Sequence, residues 1–225
     1  LVVDAQEGVM PQTREHVDIL NLLHTQRGIV ALTKMDLVDE ESLELVQDDL
    51  RDFLKETFLA QAPIVPVSAR TGQGLDRLKQ ALQEQLAKAP VRDRKGPFRM
   101  PVDRAFIKPG FGTVVTGSLW SGTLSKGDRL EILPQGEETK VRGLQSYGEE
   151  LESAYAGQRI AVNLAGVEPG SVGRGHVIST PQVMQPTQRV DVRIEILKKA
   201  PRPLKHRARV RFYAGTSEII GKVVL

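Results

Sequence analysis

The sequence predicts a chain that is α/β over its first part and all-β over the rest. Three observations carry this reading. The first 88 residues alternate short apolar runs with amphipathic stretches, whereas from residue 98 short β-rich runs separated by glycine turns take over. The charge divides at the same place: residues 1–90 hold 9 basic and 15 acidic side chains, net −6, and residues 91–225 hold 22 and 13, net +9. A bland overall charge of +3 therefore conceals two parts with different partners, the second drawn to something anionic.

Taken in order, residues 1–5, 28–33 and 63–68 read as strands buried on both faces. Each is followed by a helical pattern, over 12–24, 40–59 and 74–88. In the second helix Leu43, Val46, Leu50, Phe53 and Leu54 recur at helical spacing, with Asp39 as N-cap. Strands alternating with helices of this length require right-handed crossovers and a parallel, doubly wound sheet, of which three units are about half the usual complement. Residues 89–97, APVRDRKGP, form a polar linker bracketed by prolines. Strands then follow over 102–107, 112–119, 129–133, 140–144, 159–164 and 176–178, the pattern of a small antiparallel barrel. After a second joint at 181–186, strands over 190–197, 208–213 and 218–224 read as the start of a further all-β unit. The expected domains are 1–90, 97–181 and 186–225. Both ends of the chain are apolar, β-branched runs, which reads as a cut inside two domains.

With 40% hydrophobic residues the chain has enough apolar surface for a core. It has no cysteine and four scattered histidines, which argues against a disulfide framework and against a zinc or thiol site. No apolar run approaches the roughly 20 residues of a membrane span, so the expectation is a cytoplasmic protein with no membrane partner.

The chemistry sits first in Thr33-Lys34-Met35-Asp36, directly after a strand. The Asp36 carboxylate accepts from both N1–H and the N2 amino group of guanine. Adenine offers an acceptor at the first position and no donor at the second, so a carboxylate there selects guanine. Lys34 can lay its stem along the base, and Thr33 can bond to neighbouring loops. The second element is Ser68-Ala69-Arg70, also at a strand end, where the Ala69 N–H can donate to guanine O6 and Ser68 can brace the loop. Alone, a T-K-x-D before a helix reads as helix-start chemistry. Two such loops, each after a buried strand, favour guanine recognition at the carboxyl ends of parallel strands, where open α/β sheets bind ligands.

These residues carry a resemblance. Residues 8–16, GVMPQTREH, and 33–39, TKMDLVD, resemble the second half of the GTPase domain of translation factors related to elongation factor Tu. Residues 100–106, MPVDRAF, and 110–117, GFGTVVTG, resemble the opening of their second domain. The likeness continues through Ala156-Gly157-Gln158-Arg159 and Gly173-Arg174-Gly175 to the last residues. It implies the C-terminal half of a P-loop GTPase α/β domain, then an elongation-factor-type β-barrel and the start of a second one. Within that family three departures from the elongation factor Tu pattern point to the bacterial selenocysteine-specific group: Thr33 in place of Asn, Arg70 after Ser68-Ala69, and Asp103-Arg104 in place of an acidic pair.

The resemblance implies that the barrel helps hold the aminoacyl end of tRNA. A selenol is largely ionised at neutral pH, so its pocket should offer positive charge; Arg104 and Arg174 supply it, with Asp103 expected to orient Arg104 and with Phe106 and His176 lining the pocket. Between residues 186 and 211, nine basic side chains, among them Lys198 and Lys199, stand against two acidic ones. Arg202, Lys205, Arg207, Arg209 and Arg211 suit tRNA backbone phosphates, with the last three expected on one face of a strand. The implied ligands are GTP and GDP, with Mg²⁺ in the full-length protein only. The implied partners are selenocysteinyl-tRNA, the ribosome, and an mRNA insertion hairpin read by a further C-terminal domain. The 225 residues contain no G-x-x-x-x-G-K-[ST] stretch, so this segment by itself is not expected to hydrolyse GTP. The alternatives are an elongation factor Tu or initiation-factor γ-type carrier of other aminoacyl-tRNAs, and a non-catalytic RNA-binding barrel module.

Overall fold

The structure, a computed structural model, describes residues 1–90, 92–197, 200 and 202–225. Lys198 and Lys199 lie outside the described residues. The rest divides into two units, residues 1–90 with 194–197 and 200, and residues 92–193 with 202–225.

The first unit is a parallel sheet in the order β1 (Val2–Asp4), β2 (Val30–Thr33), β3 (Ile64–Pro66). Helices α1 (Pro11–Leu22) and α2 (Glu40–Leu54) bring Val17, Leu50 and Leu54 against Val3, Val30 and Leu32, while α3 (Leu75–Ala87) brings Ala81 against Ile29, Val65 and Val67. Both sheet faces are thus covered, as the strand–helix alternation requires. The covering is incomplete at β1, where Val2 is 71% exposed. The expectation of strands buried on both faces fails there because α3 packs over β2 and β3. Helix α1 begins on Pro11, whose fixed φ suits a first helical position, and α2 begins under Asp39, whose Oδ1 accepts from the Ser42 N–H at 2.8 Å.

The second unit is a barrel. Strands β4 (Arg99–Lys108), β5 (Gly112–Ser118), β7 (Arg129–Leu133), β8 (Glu137–Ser146), β11 (Arg159–Leu164) and β12 (Val177–Ser179) pair in the cyclic order β11-β5-β4-β12-β7-β8, and β8 returns to β11. Three short strands, β6 (Thr123–Ser125), β9 (Glu149–Leu151) and β10 (Ser153–Tyr155), were not expected; each has only three residues, too few for a period-2 pattern to register. Met100, Val102, Val115, Leu130, Ile132, Leu144, Ile160, Val162 and Ile178 fill the interior. β4 and β5 approach so closely at Gly117 that a Cβ there would stand 2.2 Å from the Pro101 carbonyl oxygen.

Beyond residue 186 the strand expected over 190–197 is not formed; Val190, Val192, Ile194 and Ile196 alternate as in a strand yet are exposed, with no strand pairing to them among the described residues. The other two expected strands do form, as the hairpin β13 (Arg209–Ala214) and β14 (Ser217–Lys222). Its turn is held by the barrel: Thr216 Oγ1 donates to Val102 O at 2.6 Å and Ser217 Oγ to Gly175 O at 2.5 Å. Among the described residues no helix is long and apolar enough to cross a membrane.

Candidate functional site

In the first unit two loops leave the carboxyl ends of neighbouring strands. Thr33 closes β2, and its hydroxyl donates to Val3 O at 3.1 Å, which fastens the loop to β1. Lys34 follows in a left-handed conformation, φ +59°, unusual for a residue with a Cβ. Its Nζ lies 2.5 Å from Asp4 Oδ2, and that bond raises the Lys34 pKa and lowers that of Asp4. The turn places Asp36 in a short 3-10 segment, Met35–Leu37, with its side chain only 11% exposed.

The second loop starts at buried Ser68, whose Oγ accepts from the Thr71 N–H at 3.1 Å while its backbone N–H donates to Gln73 O at 2.9 Å. Gly74 lets the chain turn into α3: its φ is +76°, and a Cβ there would stand 2.1 Å from Pro66 O. Ala69, exposed at the tip, has an N–H without an acceptor among the described residues.

The loops meet at Asp36. Arg70 Nε donates to Asp36 Oδ2 at 3.0 Å across 34 residues. The Ser68 hydroxyl first, then the residue's own backbone N–H and Arg70, hold the Asp36 carboxyl below the usual carboxylate range, against the opposing effect of burial. An ionised, nearly buried carboxylate on one loop and a backbone N–H without an acceptor among the described residues on the next are of the acceptor and donor kinds that a guanine edge pairs with.

The second unit carries a polar cluster on the outer face of its barrel. A β-bulge interrupts β4 between Val102 and Arg104, so Asp103 has no cross-strand partner and turns out of the alternation. Its carboxylate accepts from Thr116 Oγ1 at 2.6 Å and from Arg159 Nη2 at 3.0 Å and Nε at 3.3 Å. The expected Asp103–Arg104 pair is therefore replaced by a two-pronged bond to Arg159, a residue given no role by the sequence reading. Arg104 is exposed and without an ion-pair partner among the described residues. Arg174 and His176 are drawn elsewhere: Arg174 Nε donates to Thr216 O at 3.4 Å, and the His176 ring lies between Gly173 and the Gln135 amide at 2.7 Å. Their side chains support the hairpin and a barrel turn rather than joining Asp103.

Register extends the cluster. Arg104, Phe106 and Lys108 alternate on one face of β4, opposite Thr116, Val114 and Gly112; Arg159, Ala161 and Asn163 share the same face of β11. Phe106, Lys108, Val114, Ala161 and Asn163 line a cavity of about 470 Å³, together with Phe111 and Arg142. Asn163 is 9% exposed, and its Oδ1 has no hydrogen-bond partner among the described residues.

Of the basic residues near the end, Arg209 and Arg211 share a face of β13, and Arg211 pairs with Glu218 at 3.0 Å. Arg207 stands before the strand with φ +61°, which breaks the expected three-residue alternation. Arg202 and Lys205 lie outside any strand or helix.

Residues 1–88 match the family model of the elongation factor Tu GTP binding domain, and residues 112–179 that of elongation factor Tu domain 2. A selenocysteine-specific elongation factor of Desulfomicrobium baculatum is 49% identical over 224 residues, which is 99% of this chain and 35% of that protein. A crystal structure of the bacterial selenocysteine-specific elongation factor EF-Sec superposes with a TM-score of 0.88 at 34% identity, over 100% of this chain and 38% of that one. The elongation factor SelB of Methanococcus maripaludis, solved with the GTP analogue GppNHp, superposes with a TM-score of 0.85 at 31% identity, over 97% of this chain and 49% of that one. The chain spans about a third of the length of the curated selenocysteine-specific relatives it matches in bacteria.

Proposed function

The chain belongs to the elongation factor Tu family of translational GTPases, and on that premise we propose that it is the guanine-recognising half and the tRNA-facing barrel of a selenocysteine-specific elongation factor, which delivers selenocysteinyl-tRNA to the ribosome at recoded UGA codons. The observation that carries the proposal is the convergence of Asp36, Ser68, Ala69 and Arg70 from two strand ends onto one donor–acceptor set. Asp36 takes the N1–H and N2 amino group, the Ala69 N–H donates to O6, the Lys34 stem covers the base, and Thr33 and Ser68 fix the loops. GTP, when bound, would supply the γ-phosphate whose hydrolysis would power release of the cargo. Its phosphates and Mg²⁺ belong to loops of the full-length protein, which would act in the cytoplasm and read its mRNA hairpin through a further C-terminal domain. The domain division 1–90, 97–181 and 186–225 is proposed on the same footing.

On the barrel, the aminoacyl end lies over the face bearing Arg159, Arg104 and Phe106. Asp103 fixes the Arg159 guanidinium by two bonds, so its charge is in place before a selenolate arrives. A neutral seryl hydroxyl gains little from that charge, and the difference constitutes the selection. Arg174 and His176 stabilise the surrounding turn, and Arg202, Lys205, Arg207, Arg209 and Arg211 meet tRNA phosphates. Binding of selenocysteinyl-tRNA and seryl-tRNA to the full-length protein tests this. A preference for the first that falls in Arg104→Ala and Arg159→Ala supports the reading; equal affinities remove it.

A further inference from the structure

Arg70 meets Asp36 in that convergence but is given no contact with the base, and it makes the only side-chain ion pair that joins the two loops among the described residues. Its guanidinium is bound through Nε to Asp36 Oδ2, while its own side chain is 76% exposed. Guanine needs both oxygens of that carboxylate, one for N1–H and one for the N2 amino group. The base and the guanidinium therefore draw on the same carboxylate oxygen, and the cation bound there leaves less negative charge to hold the base. The Ser68 hydroxyl is no rival of the same kind, because Ser68 is buried and bonded in place by Thr71, Gln73 and Gly72. Arg70, by contrast, stands on the exposed side of the pair, with water available to its guanidinium once the bond is given up.

We propose that Arg70 is an internal competitor for the guanine-recognising carboxylate, which lowers nucleotide affinity and speeds nucleotide release. This rests on the guanine reading of the two loops and adds a regulatory residue to it. The expected size follows from the kind of pair. One partner is largely exposed, so displacement costs as little as other surface pairs, a few-fold in affinity at most. Salt screens such a pair, and the handicap should shrink as ionic strength rises. A second role for the same side chain would have the opposite sign: a guanidinium lying flat on the base would strengthen binding.

The full-length protein carrying this chain provides the test, with dissociation constants and release rates measured for a fluorescent GDP at low and high salt. Arg70→Ala should bind about two- to five-fold more tightly at low salt, release more slowly, and converge on the parent at high salt. Weaker or unchanged binding by Arg70→Ala overturns the proposal. Asp36→Ala serves as the separate control: if it leaves GDP affinity intact, the guanine reading itself has failed. If it weakens binding and Arg70→Ala added to it brings no gain, the competition is placed at the carboxylate. A gain that persists in the double variant overturns it.

Discussion

The two units build their polar clusters by different means. In the α/β unit the groups are carried by loops, each a few residues beyond the end of a strand, and two such loops meet because parallel strands lie side by side. In the barrel the groups stand on strands, and what meets depends on cross-strand register and on one bulge at Asp103. A loop cluster is local twice over; a strand-face cluster is non-local throughout. The first thus tolerates change outside its loops, while the second shifts whenever a strand slips by one residue.

Removing the central group of the loop cluster is the largest single perturbation. Asp36→Ala deletes the acceptor of two charge-assisted bonds, each worth about 1.5–3 kcal/mol, and should weaken GDP binding by the full-length protein at least about a hundredfold. Arg159→Ala should leave that affinity unchanged. A fluorescence titration with both variants checks the separation, and an equal loss in the two would break the comparison.

Backbone substitutions sharpen it next. Gly74→Ala and Gly117→Ala each drive a Cβ to within 2.2 Å of a carbonyl oxygen, Gly74 with a positive φ in addition. Each should cost about 2–4 kcal/mol, in different units. Trp120, the only tryptophan, stands in the barrel unit, and the α-helices among the described residues stand in the other. In urea unfolding, Gly74→Ala should lower the midpoint seen by far-ultraviolet circular dichroism, and Gly117→Ala the midpoint seen by Trp120 fluorescence. Transitions that move together in either variant would show one cooperative unit instead of two.

The same contrast explains what could be read in advance. The parallel sheet, the Asp39 cap, the places of the six main barrel strands along the chain and the union of Asp36 with the Ser68-Ala69-Arg70 loop were all legible, because each depends on local pattern or on parallel strands adjacent in sequence order; the cyclic order of the barrel strands, which pairs strands distant in sequence, was not. The partner of Asp103 was not. Sequence adjacency favoured Arg104, but the bulge that frees Asp103 from its cross-strand pairing hands its carboxylate to Thr116 and Arg159 on other strands, and Arg159 is 56 residues away. Its signal was an arginine opening an apolar strand just after the Gly157 turn, a pattern that names no partner. The strand expected over 190–197 failed for the complementary reason: alternation predicts a face, not a neighbour to pair with. Arg159→Ala turns this into a measurement. Loss of a fixed cation facing a selenolate should reduce the preference for selenocysteinyl-tRNA over seryl-tRNA about tenfold, and Asp103→Asn, which keeps the shape but loosens the guanidinium, should reduce it less. An unaffected preference would detach the barrel cluster from the amino-acid end.

The smallest effect concerns acid. Asp4, Asp36 and Asp39 all have pKa values depressed in the folded chain, by the bonds from Lys34, Ser68 and Ser42 respectively. A depressed pKa means that the folded state binds the ionised form, so the stability these groups add is present above the unfolded-state value near about pH 3.9. It is lost as pH falls through the lower folded values. The urea midpoint of the helical transition should accordingly hold from neutrality to about pH 5 and decline below about pH 4. Asp39→Asn separates charge from geometry, since an asparagine still caps α2 through its side-chain oxygen but does not titrate. Its helical transition should show a shallower acid decline with little change at neutral pH. An unaltered decline would assign the acid sensitivity to the carboxylates at the strand ends, Asp4 and Asp36, and so to the loop cluster itself.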